Sequence, residues 1–143
     1  MRIAIAADHR GYAAKEKMCL LLNEQGHDVI DMGTNSARSC DYTDLAYVAS
    51  TAVAAGQADT AVLLCGSGIG MSISANKVHG VRAALCSDEL TAQMARRHNN
   101  ANVLCLAADL LGEELMRRII EVWIETDFEA GRHLRRIHKI ALI

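Results

Sequence analysis

Thr60-Ala61-Val62-Leu63-Leu64-Cys65-Gly66-Ser67-Gly68-Ile69-Gly70 is the stretch that decides the fold. An uncharged run, residues 60–65, reads as a buried strand. Three glycines in five positions then allow a tight turn with exposed backbone N–H groups. A helix pattern follows over residues 69–77. Those N–H groups and the helix N-terminus suit an anion or a developing oxyanion. The turn is not a Walker A loop, because no Gly-Lys-Ser/Thr follows, and Met71 stands where a G-x-G-x-x-G fingerprint would place its last glycine.

The same alternation extends in both directions. Upstream, residues 3–7 read as a strand buried on both faces. Residues 11–25 carry Ala14, Met18, Leu21 and Leu22 at helical spacing and stop at Gly26. Residues 29–32 form a second strand, 33–42 a polar loop and 44–55 a helix ended by Gly56. Downstream, strands at 81–86 and 103–107 alternate with helices at 89–97 and 112–126, and a last helix begins near Arg132. Five βα units in one chain predict an α/β fold, a three-layer Rossmann-like sandwich with a five-stranded parallel sheet. Ligands of such sheets bind beyond the carboxyl ends of the strands. That rule selects Asp8-His9, residues 41–44, the turn at 65–70 and residues 86–88.

Composition narrows the function classes. The 143 residues suit one domain, 1–143, with 51% apolar and 22% charged residues. A net charge of −2 argues against a nucleic-acid partner, and no apolar run reaches membrane-spanning length. The apolar start at residues 1–7 ends at Asp8-His9-Arg10, too short for a signal-peptide core. Five cysteines, an odd number and none close in sequence, suggest free thiols in a reducing compartment, the cytoplasm. No C-x-x-C pair occurs, which argues against zinc, and the absence of proline predicts no cis peptide bond.

Four groups of residues carry chemistry. Cys65 ends its strand facing the glycine turn, and a helix N-terminus favours a thiolate. From the turn alone, an inert buried thiol is equally well supported. Asp8-His9 offers a general acid and base, or a helix cap beside an exposed imidazole. His98-Asn99-Asn100-Ala101-Asn102 closes a helix, where such residues often serve the backbone. Arg132 and Arg136, four apart, share one helix face and suit a phosphate, or form a solvated basic face. The other cysteines read as structural.

Taken together, Asp8-His9-x-Gly11, Asp41-Tyr42-x-Asp44, the block from Cys65 to Ala75-Asn76-Lys77, His98-Asn99-x-Ala101-Asn102 and Phe128-Glu129-x-Gly131-Arg132-His133 resemble the ribose-5-phosphate isomerase B family over nearly the whole chain. That family also includes allose- and galactose-6-phosphate isomerases. The resemblance implies interconversion of aldose and ketose phosphates, ribose 5-phosphate and ribulose 5-phosphate by default, through an enediolate without metal or organic cofactor. It implies that Cys65 moves the proton between C2 and C1, since Met71 occupies the position where some relatives carry a glutamate. Ser67 would bond the reacting oxygens. The N–H groups of Gly66, Gly68 and Gly70, with Asn99, would hold the enediolate charge. Asp8 and His98 would open the sugar ring, Tyr42 would line the site, and His9, Arg132 and Arg136 would bind phosphate. The resemblance also implies at least a homodimer, the helical segment from about residue 127 reaching the partner with its two arginines.

The chain departs from that pattern at Asp109, where most relatives carry a phosphate-binding arginine, and at Arg10, where they carry a small or apolar residue. Arg10 is therefore a substitute phosphate contact, or the substrate is a tetrose phosphate, a hexose phosphate or an unphosphorylated sugar. Thr43 stands where relatives have proline. A non-catalytic sugar-phosphate-binding subunit and a nucleotide-binding turn are the alternatives from other classes. Intact Cys65, Asp8 and His98 argue against the first, and the missing fingerprint against the second.

Overall fold

A computed structural model describes residues 1–143. The elements run β1 (Arg2–Ala7), α1 (Tyr12–Glu24), β2 (Asp28–Asp31), α2 (Tyr42–Ala54), β3 (Thr60–Cys65), α3 (Ile69–Ala75), β4 (Ala83–Leu85), α4 (Glu89–Asn99), β5 (Val103–Ala107), α5 (Glu113–Glu125) and α6 (Arg132–Ile140). All strands pair in parallel in the order β2-β1-β3-β5-β4. The three-layer α/β expectation is met, and no helix is long and apolar enough to cross a membrane.

Alternation along the central strands builds two cores. Ile3, Ile5, Val62, Leu64, Leu104 and Leu106 face one side, where they meet Met18 and Leu22 of α1 and Ile119, Ile120 and Trp123 of α5. Ala4, Ala6, Leu63, Cys65, Val103 and Cys105 face the other, against Ala46, Ala49 and Val53 of α2 and Met71 and Ala75 of α3. Small residues on the second side let its helices approach closely. Each apolar side chain so buried contributes on the order of 1.5–3 kcal/mol, less for alanine. The chain leaves β1 toward one edge and β3 toward the other, so the sheet's switch point lies between them.

Several boundaries differ from the sequence expectation. Strand β4 holds three residues rather than six, because only Ala83–Leu85 pair with β5 at the sheet edge. Helix α2 begins at Tyr42 and not at residue 44; with threonine at 43, nothing delays the first turn. Helix α3 ends at Ala75, two residues early, where Asn76 turns its side chain back to bond the Ala83 backbone. The Gly33–Thr34 peptide is cis, against the expectation drawn from the lack of proline. Ala7 bonds both sides of it, its N–H donating to Gly33 O and its carbonyl accepting from Thr34 N–H, each at 2.8 Å.

Lys15 is fully buried in α1, and its ammonium donates to Asp31 Oδ2 at 2.5 Å and Glu16 Oε1 at 2.8 Å. Burial disfavours its charge, but the two carboxylates more than offset this and hold its pKa above the usual lysine value. Asp31→Asn removes the stronger partner and is expected to destabilise the fold by about 1–3 kcal/mol, since Glu16 still solvates the ammonium. A urea titration of both proteins checks this.

Candidate active site

The carboxyl ends of β1 and β3, on either side of the switch point, open into a cavity of about 580 Å³ lined by Asp8, Arg10, Tyr42, Cys65, Gly66, Ser67, Gly70 and Asp109, among others. Asp8 is 5% exposed. Its Oδ1 accepts from the N–H groups of Arg10 (2.9 Å) and Gly11 (3.2 Å), while its own N–H donates to Leu64 O. It therefore ties β1 to the turn before α1 without being a helix cap, since the capping residue is Gly11. Its other carboxylate oxygen stays unengaged. Next to it, His9 Nδ1 accepts from Cys40 N–H at 3.3 Å, which leaves Nε2 as the group that can meet a ligand.

Cys65 ends β3 and is 4% exposed. Gly68 N–H points at its sulfur, 3.2 Å away. Gly68 adopts φ +73°, a left-handed conformation, and an added Cβ would lie 2.5 Å from Leu85 Cδ1. An added Cβ at Gly70 would meet the Tyr42 ring at 2.5 Å, so this glycine lets the tyrosine close over the turn. Ser67 Oγ accepts from Ile69 N–H at 3.3 Å, leaving its hydroxyl proton free. Ala108 N–H to Cys65 O and Asp109 N–H to Gly66 O stitch the turn to the end of β5. The N–H groups of Gly66, Ser67, Gly70 and Met71 have no partner within the chain. A thiol facing an array of unpaired donors is equipped to move a proton beside a developing oxyanion.

Three of the other four thiols are not so equipped. Burial pushes Cys19 and Cys86 up to about 11, and burial with the nearby Cys65 pushes Cys105 higher still. All three stay protonated near neutrality. Met71 is fully buried in the apolar layer under α3 and does not line the cavity.

Arg10 and Asp109, 99 residues apart in sequence, pair across the cavity mouth, with Arg10 Nε 2.5 Å from Asp109 Oδ2. Both sit over Gly66, whose added Cβ would meet them within 3.0 Å. Asp109 thus neutralises the cation that would replace the missing arginine, and the pair brings no net charge to the site.

The remaining expected residues do not line this cavity. In a parallel sheet the helix after a strand runs back, so α4 ends at the amino edge. There Asn102 O accepts from Thr60 Oγ1 and Ala61 N–H at the start of β3. Strand β3 separates the two edges by about 17 Å. His98 and Asn99 lie at this far edge, and α6 packs beside them, with the His133 and His98 rings stacked at 4.4 Å. Arg132 and Arg136 are exposed on α6 and form no ion pair within the chain. Within the His-Asn motif, Asn100 takes the left-handed C-cap (φ 45°) and Asn102 bonds the backbone of Gly80 and Arg82, so those two serve structure. A single chain therefore keeps the expected residues in two separate groups. One holds thiol, donors and Asp8, and the other holds His98, Asn99 and two free guanidinium groups. Sequence reading did not single out the apolar wall of Ile69, Ile73 and Leu110, nor the contact of Glu129 with His98. The i,i+4 spacing of Glu129 and His133 was the only local signal for the latter.

Comparison with known proteins identifies what the chain resembles. The family described as Ribose/Galactose Isomerase matches residues 3–140. Ribose-5-phosphate isomerase B of Escherichia coli (strain K12) is 41% identical over 142 residues, 99% of this chain and 95% of the relative. D-erythrulose-4-phosphate isomerase of Pectobacterium atrosepticum is 40% identical over 141 residues, 98% and 93% of the two chains. The solved structure of Clostridium thermocellum ribose-5-phosphate isomerase B superposes with a TM-score of 0.98 at 41% identity, covering 99% of this chain and 96% of that one.

Proposed function

The chain belongs to the ribose/galactose isomerase family and is a sugar-phosphate aldose–ketose isomerase, and we propose that it interconverts ribose 5-phosphate and ribulose 5-phosphate with Cys65 as the base. The observation that carries this reading is the Cys65 sulfur at the switch point, beside unpartnered N–H groups at Gly66, Ser67 and Gly70.

With the open-chain aldose in the cavity, the Cys65 thiolate takes the C2 proton and the electron pair moves through C1 onto the carbonyl oxygen. The enediolate charge is held by the N–H groups of Gly66, Ser67 and Gly70 and by the Ser67 hydroxyl. One such donor lowers a barrier by about 3 kcal/mol. The Cys65 thiol then returns its proton to C1, while the O2 proton passes to O1, giving the ketose. Asp8 and His98 open the ring by proton transfer, Gly68 holds the sulfur, and Tyr42 covers the sugar. His9, Arg132 and Arg136 take the phosphate, and Asn99 supports the enediolate.

Because His98, Asn99 and the two arginines lie at the opposite sheet edge from Cys65, the working site is proposed to join one chain's carboxyl edge to the partner's α4 and α6. The single domain 1–143 would thus function as a homodimer, with the segment from about residue 127 reaching across.

The Arg10–Asp109 pair supports a second reading of the substrate, a tetrulose 4-phosphate, since a chain 40% identical carries that name. Comparing kcat/KM for ribose 5-phosphate, erythrose 4-phosphate and unphosphorylated ribose tests both. Highest turnover with the pentose phosphate is expected, a higher value for the tetrose phosphate would install the second reading, and equal use of free ribose would contradict both. Asp109→Asn removes a carboxylate from the phosphate side and frees Arg10. It is expected to lower KM for ribose 5-phosphate about two- to fivefold, and Arg10→Ala to raise it by a similar factor. Steady-state kinetics at fixed ionic strength reads both.

A further inference from the structure

At the amino edge, Glu129 Oε2 lies 3.5 Å from His98 Nε2 and 3.8 Å from His133 Nε2, and the three donor atoms fall within 4.8 Å of one another. Neither carboxylate–imidazole distance is that of a formed hydrogen bond. Three metal-ligating groups thus lie together without hydrogen-bonding each other. The two imidazoles stack at 4.4 Å and 13°, and each Nε2 has the same Glu129 oxygen as its carboxylate neighbour, so one ring turns for both lone pairs to meet an ion. The backbone enforces this grouping. Ala130 (φ 56°) and Gly131 (φ 52°) are both left-handed and fold residue 129 back over α4, where Glu129 N–H donates to Arg97 O at 3.0 Å and Arg97 Nη2 lies 3.3 Å from Glu129 Oε1. Glu129 is held through one oxygen and presents the other. A tetrahedral ion with bonds of 2.0–2.1 Å places its ligand atoms about 3.3 Å apart. The two carboxylate legs need to close by only a few tenths of an ångström.

We propose that His98, Glu129 and His133 form a reversible binding site for a divalent cation of the zinc class, with water as fourth ligand, and that occupancy blocks the isomerase by engaging His98. Two nitrogens and one oxygen suit Zn²⁺ and disfavour Mg²⁺ and Ca²⁺. Arg97, Arg132 and Arg136 stand nearby and oppose a cation, so binding is reversible and not structural. The missing C-x-x-C pair speaks only to local cysteine sites, whereas these ligands come from α4, the following loop and α6. A metal-bound Nε2 has no lone pair to accept a proton, so the block rests on the ring-opening role assigned to His98.

Titration of the intact protein with Zn²⁺ against a chromogenic chelator reads affinity and stoichiometry without turnover. One ion per chain is expected, with His133→Gln and Glu129→Gln each weakening it at least about tenfold and Cys65→Ser leaving it unchanged. Two independent ligand variants keep the test open if one fails to fold. No binding, equal binding by wild type and both variants, or loss on Cys65→Ser would overturn the site. In the isomerase assay, Zn²⁺ inhibition reversed by chelator is expected, with His133→Gln needing at least tenfold more zinc. Stoichiometric binding without inhibition would uphold the metal site and overturn the block, and with it the role of His98.

Discussion

Cys65→Ala is expected to lower kcat about 10²- to 10⁴-fold, the range lost when a positioned base is removed. KM should change little, because the phosphate contacts and the N–H array remain. The fold should survive, since the sulfur's one recorded polar contact is with Gly68 N–H. Circular dichroism and a thermal melt separate loss of chemistry from loss of structure. Cys65→Ser keeps a hydrogen-bonding group, but a hydroxyl ionises far less readily than a thiol, so it should remain nearly as inactive. Activity within tenfold of wild type would move the base elsewhere, and Asp8 and Asp109, the carboxylates next to the turn, would be examined first.

Mixing two inactive variants should restore activity. Cys65→Ala and His98→Asn are each expected to lose at least about a hundredfold alone. In a two-fold dimer whose sites combine Cys65 of one chain with His98 of the other, every hybrid carries one site with both substitutions and one with neither. Random reassociation of equal amounts makes half the dimers hybrid, so activity should return to about one quarter of wild type. Native mass spectrometry verifies the exchange. Hybrid dimers without recovery would mean that both residues act within one chain, which the opposite sheet edges make hard to achieve.

Much of this was legible in the chain. The run from Thr60 to Gly70 marks a strand, a turn and a helix start because burial, glycine and helical spacing all act locally. Asp8 and Cys65 could be placed at the ligand edge because a parallel sheet leaves little choice about where ligands bind. The short β4 was not legible, since Val81 and Cys86 are as apolar as paired residues and only the sheet edge decides their pairing. Nor was the cis peptide at Gly33–Thr34, which backbone bonds to Ala7 enclose. At the site, the glycine turn and its thiol are contiguous and therefore readable. The Arg10–Asp109 pair and the contact of His98 with Glu129 and His133 join residues tens of positions apart, through loops whose course no local pattern specifies. The separation of His98 from Cys65 follows from topology alone, because a helix after β4 must end at the amino edge.

The central claim is proton transfer at C2 by a protein base, and following ribose 5-phosphate by proton NMR in heavy water with purified protein tests it most directly. The account predicts ribulose 5-phosphate together with deuterium at C2 of the recovered aldose, since a proton held on the Cys65 sulfur exchanges with solvent. Ketose that carries the original hydrogen to C1, with no solvent deuterium in either sugar even after many turnovers at equilibrium, would contradict it.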